Sequence, residues 1–204
     1  MATVLFARHA ESTWNRQGRL QGWAPSLLTD HGRTEADALA DWLARRTTDR
    51  LVTSDLERAV ATADRVAAET GVDAVLDRAW RERDYGVLQG LPAEEAFERF
   101  ERLSLARGEA ALAERPDGGE SIREFATRVE AAWDSRCADL DDETVVVVAH
   151  GGVLRVVSAL VTERSLLEVF RDTSPSNCAV TEVSVRDVGT TVVRDAATDH
   201  LSLD

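Results

Sequence analysis

The sequence predicts an α/β fold: a three-layer sandwich with a mostly parallel sheet flanked by helices, plus a helical insertion over the C-terminal edge of the sheet. Three observations carry that expectation. Short apolar runs alternate with stretches of helical periodicity. One run, Thr144–Ala149 (TVVVVA), is apolar at five consecutive positions, as a parallel strand buried on both faces requires. A long charged segment from about 91 to 140 has no strand signal at all.

In chain order, Thr3–Ala7 (TVLFA) is too short for a helix and rich in strand formers. A polar loop follows, punctuated by Gly18, Gly22 and Pro25. From about His31 to Arg46, Ala36, Leu39, Ala40 and Leu43 recur at helical spacing, with Thr29 or Asp30 as N-cap. Arg50–Thr53 is a second strand. Ser54-Asp55-Leu56-Glu57 then reads as a capping box opening a helix that ends at Gly71. Val72–Leu76 is a third strand. The insertion reads as two amphipathic helices, 92–114 and 120–140, joined by the turn Pro116-Asp117-Gly118-Gly119. After Thr144–Ala149 come a helix from about Val153 to Thr162 and a closing hairpin, Ala179–Val185 and Thr190–Arg194, turning through Asp187-Val188-Gly189. With no repeat or linker, residues 1–204 are expected to form a single domain.

Composition narrows the function. The 204 residues include 37 acids against 24 basic residues, every one of them arginine, for a net charge of −13. A general nucleic-acid surface needs excess positive charge, so none is expected. No apolar stretch approaches the ~18–20 residues of a membrane span, and no signal peptide is evident, so a cytoplasmic protein is expected. Cys137 and Cys178 match neither a zinc motif nor a disulfide framework and read as free thiols. The sequence leaves the oligomeric state open, a homodimer being one arrangement it allows.

In open α/β sheets, ligands bind beyond the carboxyl ends of the strands. There the first strand ends in Arg8-His9, the second in Ser54-Asp55 with Arg58 one turn on, and the strongest, Thr144–Ala149, in His150-Gly151-Gly152. Any one of these alone reads more plainly as a structural histidine or a surface arginine. No histidine pair has i, i+3 or i+4 spacing, and Arg8 beside His9 would repel a cation, so no metal is expected. Two histidines and two arginines converging make a pocket for a tetrahedral dianion. Arginine forks match phosphate oxygens, and a neutral imidazole can attack phosphorus. Ser12, Thr13 and Asn15 add hydrogen-bonding groups, and Glu82 or Asp84 is the candidate proton donor for a leaving alkoxide.

These residues carry a resemblance. Leu5-Phe6-Ala7-Arg8-His9-Ala10-Glu11-Ser12 resembles the Arg-His-Gly-Glu motif of the histidine phosphatase superfamily, the phosphoglycerate mutase-like proteins. The likeness continues through Asn15 and Gln21-Gly22, Ser54–Ala59 with Thr62-Ala63, Glu82 with Tyr85-Gly86 and Gln89-Gly90, Gly118–Ser121, and Ala149–Gly152. Ala10 departs from the usual glycine. The resemblance implies His9 as a nucleophile that becomes phosphorylated. It implies Arg8, Arg58 and His150 as holders of the phosphoryl group, with Asn15 assisting, and Glu82 as general acid and then base. Ser12, Gln21, Gly22, Tyr85 and Gly151 complete the substrate-binding set, and no metal or cofactor is implied.

Two activities share that pattern, phosphomonoester hydrolysis and cofactor-dependent phosphoglycerate mutation. Glu82–Leu91 looks closer to the mutases. Against that, mutases carry a lysine where Ala93 stands and usually an asparagine where Gly152 stands, and Asn177–Glu182 looks phosphatase-like. The expected function is therefore a phosphatase for a small phosphorylated metabolite, with the mutase as the alternative. A non-catalytic phosphate-binding module would be expected to lack His9 or Glu82. Phe97, Phe100 and Arg107 of the insertion are candidate leaving-group contacts, with core packing or solvated charge as the plainer reading. Between Arg8 and Arg33 four arginines face two acids, a positive island on an acidic chain.

Overall fold

Alternation along the central strands sets the architecture. In a computed structural model describing residues 1–137, 140–186 and 189–201, strand β1 (Ala2–Arg8) and strand β4 (Thr144–Ala149) pair in parallel at the centre of the sheet. Leu5, Ala7, Val146 and Val148 point into one core, and Val4, Phe6, Val145 and Val147 into the other. The first face is covered by α2 (Asp30–Ala44) and α3 (Glu57–Thr70) through Leu39, Leu43, Ala63 and Val66. The second is covered by α6 (Ile122–Arg136) and α7 (Gly151–Thr162) through Phe125, Val129, Val153 and Val157. Period-two strands between period-3.6 helices thus give three layers.

The sheet has six strands in the order β3-β2-β4-β1-β5-β6. Here β2 is Arg50–Thr53, β3 Ala74–Leu76, β5 Val180–Arg186 and β6 Gly189–Ala197. The first four in that order run parallel; β5 is antiparallel to β1, and β6 antiparallel to β5. The expected hairpin is present, although Asp187 and Val188 of its turn lie outside the described residues. Register positions the chemistry. Arg8 is opposite Ala149, so the next residues, His9 and His150, emerge side by side. Thr53 is opposite Val148, which brings Ser54 beside His150.

Three local expectations need correction. Ser54 does not cap α3: the N-cap is Leu56, which has no side-chain bond, and the Ser54 hydroxyl instead accepts from Leu56 N and meets His150. The first insertion helix is broken. It resolves into α4 (Ala93–Arg99), two 3₁₀ turns at Glu101–Leu103 and Leu105–Arg107, and α5 (Glu109–Ala113). The breaks follow from Ser104, whose side chain caps Ala106 N–H, and from Gly108 at φ 67°, a conformation a helix interior cannot hold. Two short helices were not anticipated: α1 (Thr13–Arg16) and α8 (Leu166–Asp172), opened by capping boxes at Ser12 and Ser165.

Candidate active site

The pocket opens where the carboxyl ends of β1 and β4 meet the loop after β1. His9 is almost fully buried, and its Nδ1 lies 2.8 Å from the Ala10 carbonyl oxygen. A carbonyl only accepts, so Nδ1 carries the proton and Nε2 presents a lone pair. That lone pair accepts from Arg58 Nε at 3.2 Å. Burial, then the charges of Arg58 and Arg8, hold the imidazole well below its ordinary pKa, so it is neutral at physiological pH. Ala10 is buried in the core beside α3 and donates its N–H to Thr62 Oγ1 at 3.1 Å, so its methyl is accommodated.

Arg58 is fixed by backbone. Its Nη2 donates to the Gly22 carbonyl at 2.7 Å and its Nη1 to Ala24 at 3.2 Å. Burial lowers its pKa to about 10, still far above neutrality. Gly22 must be glycine: its φ is 53°, and a Cβ would lie 2.5 Å from Gln89 Oε1 and 2.9 Å from Tyr85 N. Arg8 donates to the Pro175 carbonyl, and its Nε is buried without a partner.

His150 is fully buried, 5.2 Å from His9 between ring centroids. Its Nε2 lies 2.9 Å from Ser54 Oγ, while its Nδ1 has no partner. Ser54 Oγ already accepts from Leu56 N–H, so its own hydrogen is free for Nε2, leaving the proton of a neutral imidazole on Nδ1. Burial first, then Arg58, holds this ring neutral as well.

The Glu82 carboxylate accepts from Arg83 N–H at 2.8 Å and Gly152 N–H at 3.1 Å. A Cβ on residue 152 would come within 2.1 Å of Glu82 Oε1, so glycine lets the carboxyl approach the strand end. Glu82 is held by residues outside the predicted set. Arg128 of α6 donates to the carbonyls of Ala79, Arg81 and Glu82 while gripping Glu120 with Nε and Nη2. Trp23 Nε1 adds a second bond to the Glu82 carbonyl at 2.8 Å. Asp84, the other candidate acid, caps Gly86 N–H at 2.8 Å and lines none of the three adjoining cavities.

Asn15 Oδ1 accepts from Ser12 N–H, the Ser12 hydroxyl and Asn177 Nδ2, which turns its NH₂ towards the cavity. Asn177 also donates to the His9 carbonyl at 2.9 Å. Ser12 itself is fully buried, its hydroxyl shared between the amide oxygens of Asn15 and Gln21, so it braces the loop rather than facing the pocket. Thr13 pairs with Ser26.

His9, Asn15, Gln21, Gly22, Arg58, Glu82 and Arg8 line a recess of about 160 Å³. It continues past Tyr85 into a chamber of about 520 Å³ under the insertion, where Phe97 is a wall residue. Phe100 and Arg107 do not line it; Phe100 packs in the small core with Leu20 and Leu88. Arg155 and Phe170 line the chamber and were not anticipated. Among the described residues, no three His, Cys, Asp or Glu side chains group to hold a metal ion, and no helix is long and apolar enough to cross a membrane.

Known proteins resemble the chain in sequence and in fold. The sequence profile of the histidine phosphatase superfamily (branch 1) matches residues 4–198. The chain is 36% identical over 165 residues to a metal-independent phosphoserine phosphatase of Arabidopsis thaliana, covering 79% of this chain and 69% of that one. It is 32% identical over 162 residues to a 2,3-bisphosphoglycerate-dependent phosphoglycerate mutase of Gloeobacter violaceus, covering 77% and 74%. A mycobacterial glucosyl-3-phosphoglycerate phosphatase solved with VO₃ superposes at a TM-score of 0.82, with 27% identity over 96% of this chain and 99% of that one.

Proposed function

The chain belongs to branch 1 of the histidine phosphatase superfamily, and from that premise we propose that it is a phosphomonoester phosphatase working through a phosphohistidine on His9. One observation carries the reading: the imidazole of His9 is locked with its Nε2 lone pair towards a small recess that also receives Arg8 and Arg58.

On this reading the reaction runs in two halves. The Arg8 and Arg58 guanidiniums and the Nδ1–H of His150 take the phosphoryl oxygens, with the Asn15 amide beside them. His9 Nε2 attacks phosphorus, forming a P–N bond as the P–O bond to the leaving group breaks. The Ala10 carbonyl stabilises the positive imidazole through Nδ1–H. Protonated Glu82 gives its proton to the leaving oxygen. In the second half the Glu82 carboxylate takes a proton from water, whose oxygen attacks phosphorus and breaks the P–N bond. Inorganic phosphate leaves and neutral His9 returns.

The mutase alternative has its own support, in the segment Glu82–Leu91 and in relatives named as mutases. Hydrolysis is favoured by the absence of lysine anywhere in the chain and by Gly152, where any side chain would crowd the Glu82 carboxyl. The decisive experiment follows p-nitrophenyl phosphate hydrolysis in excess chelator, with acid-quench trapping of the phosphoenzyme. Turnover by native protein and its loss in His9→Ala are expected; no native turnover, or full turnover by the variant, sinks the reading. Interconversion of 3- and 2-phosphoglycerate primed with 2,3-bisphosphoglycerate, at rates comparable to hydrolysis, would reverse the choice.

A further inference from the structure

The outer chamber contains a charge that the proposed chemistry leaves unused. Arg155 lies four residues after Gly151 on α7 and so on the same helix face, the one turned towards Arg8. It lines both the 520 Å³ chamber and a recess of about 140 Å³ shared with Arg8, Glu82 and Gly151. More than half of the chain's 24 arginines lie within ion-pair distance of a carboxylate. Among the described residues Arg155 does not; its Nε is buried without any partner, and its guanidinium carbon sits 5.4 Å from the Phe170 ring centroid.

An arginine stacked on an aromatic ring and left without a carboxylate is pre-ordered for an incoming anion. The phosphoryl oxygens are already served by Arg8, Arg58 and His150, so the anion Arg155 meets belongs to the leaving group. Among the described residues no acidic side chain lines the larger chamber, and Arg8, Arg19 and Arg83 contribute further guanidiniums there. Phe97, Leu105 and Phe170 give its walls an apolar side.

Resting on the phosphatase reading, we propose that Arg155 is a specificity-determining residue that holds a second anionic group, a carboxylate or a further phosphate, on the leaving group of a small phosphomonoester. The ester's carbon skeleton lies against the Phe97 and Phe170 side of the chamber.

Matched esters test this on the intact protein. 3-Phosphoglycerate and glycerol 3-phosphate differ by a carboxylate in place of a hydroxymethyl group. 1,3-Propanediol bisphosphate and its monophosphate differ by a second phosphate. A charge-assisted contact of about 1.5–3 kcal/mol corresponds to about 10- to 150-fold in kcat/KM. Native protein is expected to prefer the charged member of at least one pair by that factor. Arg155→Met is expected to erase the preference while changing the neutral ester and p-nitrophenyl phosphate less than about threefold, and Arg155→Lys to keep part of it. The pair that shows the larger loss identifies the anion. Equal losses on charged and neutral esters would assign Arg155 to the phosphoryl pocket, and no loss on either charged ester would leave it no role; each overturns the proposal. Native protein that hydrolyses p-nitrophenyl phosphate yet shows no preference overturns this inference alone. No hydrolysis of any ester overturns the phosphatase reading with it.

Discussion

His9 and His150 are the same residue type at the ends of neighbouring parallel strands, buried alike and both held neutral, yet their hydrogen bonds make them opposites. At the end of β1 a backbone carbonyl accepts from Nδ1–H and leaves Nε2 as an acceptor lone pair, met only by Arg58 Nε–H. At the end of β4 the hydroxyl of Ser54 faces Nε2 and leaves Nδ1 as the free donor. On the proposed reading one ring attacks and the other holds charge. Identity of side chain and depth of burial do not distinguish the two rings; the partner on the second nitrogen does.

The most forceful way to break that comparison is to delete each ring. His9→Ala removes the attacking atom and is expected to lower kcat by about 10⁴-fold or more with no phosphoenzyme detected. His150→Ala removes one charge-stabilising donor, for a loss of about 10²–10³-fold with the phosphoenzyme still forming. Equal losses, or a phosphoenzyme in His9→Ala, would show that the hydrogen-bond pattern does not assign the roles.

A second test concerns what the two rings share. Each has a folded-state pKa held below its unfolded value near 6.5, so above that pH neither affects stability. As pH falls below 6.5 the unfolded chain takes up protons that the folded protein refuses, and stability drops by up to about 1.4 kcal/mol per pH unit per histidine until the folded pKa is reached. Denaturant unfolding between pH 7.5 and 5 should show this slope, reduced by one histidine's share in His150→Gln. A slope that His9→Gln and His150→Gln both leave unchanged contradicts the burial argument.

The strand ends were readable in the sequence because each core strand is short and its chemistry follows within a residue or two. Arg8-His9 and His150-Gly151 needed no tertiary knowledge beyond the rule that ligands gather at carboxyl ends. Ser54 was misread for the complementary reason. Serine with glutamate three residues on is a generic helix start, but the hydroxyl was claimed by a histidine 96 positions away. Helix α8 did carry a readable signal, Ser165 with Glu168, in a segment of only seven residues. Arg128 and Arg155 carried none, and Asn177 stood out only as the start of a phosphatase-like segment, not as a brace of His9. What marks them is a set of carbonyls, an amide or a missing partner, all fixed by tertiary packing. The insertion was expected as two helices because its charge periodicity is helical; Ser104 and Gly108 break the first of them locally.

Ser54 offers a finer probe of the histidine contrast. Ser54→Ala leaves both rings in place but frees Nε2 of His150, allowing the tautomer that turns a lone pair, not a donor, towards the phosphoryl group. A single net hydrogen bond of 0.5–1.5 kcal/mol corresponds to a loss of about 2- to 10-fold in kcat. Nitrogen chemical shifts of the His150 ring should show the mixed tautomers while those of His9 stay as in the native protein. An unchanged His150 tautomer together with a native rate would remove Ser54 from the argument.

The smallest expected effects lie in the insertion, where Phe97 and Arg107 put the same question to the outer chamber. Phe97 is a partly buried wall of that chamber; Arg107 ends a 3₁₀ turn exposed to solvent and faces no part of it. Truncating Phe97 to alanine removes apolar contact with a leaving group, about 1–2 kcal/mol if most of one face is covered. That amounts to about 5- to 30-fold in kcat/KM on esters with a carbon skeleton long enough to reach it. Arg107→Ala should change no ester by more than about twofold, since an exposed charge is screened within roughly 8 Å at physiological salt. The two variants separate contact from long-range attraction: if Arg107→Ala weakens capture steeply at low salt and Phe97→Ala does not, the arginines draw the substrate in by field against the net charge of −13. The opposite pattern means that the chamber selects by touch.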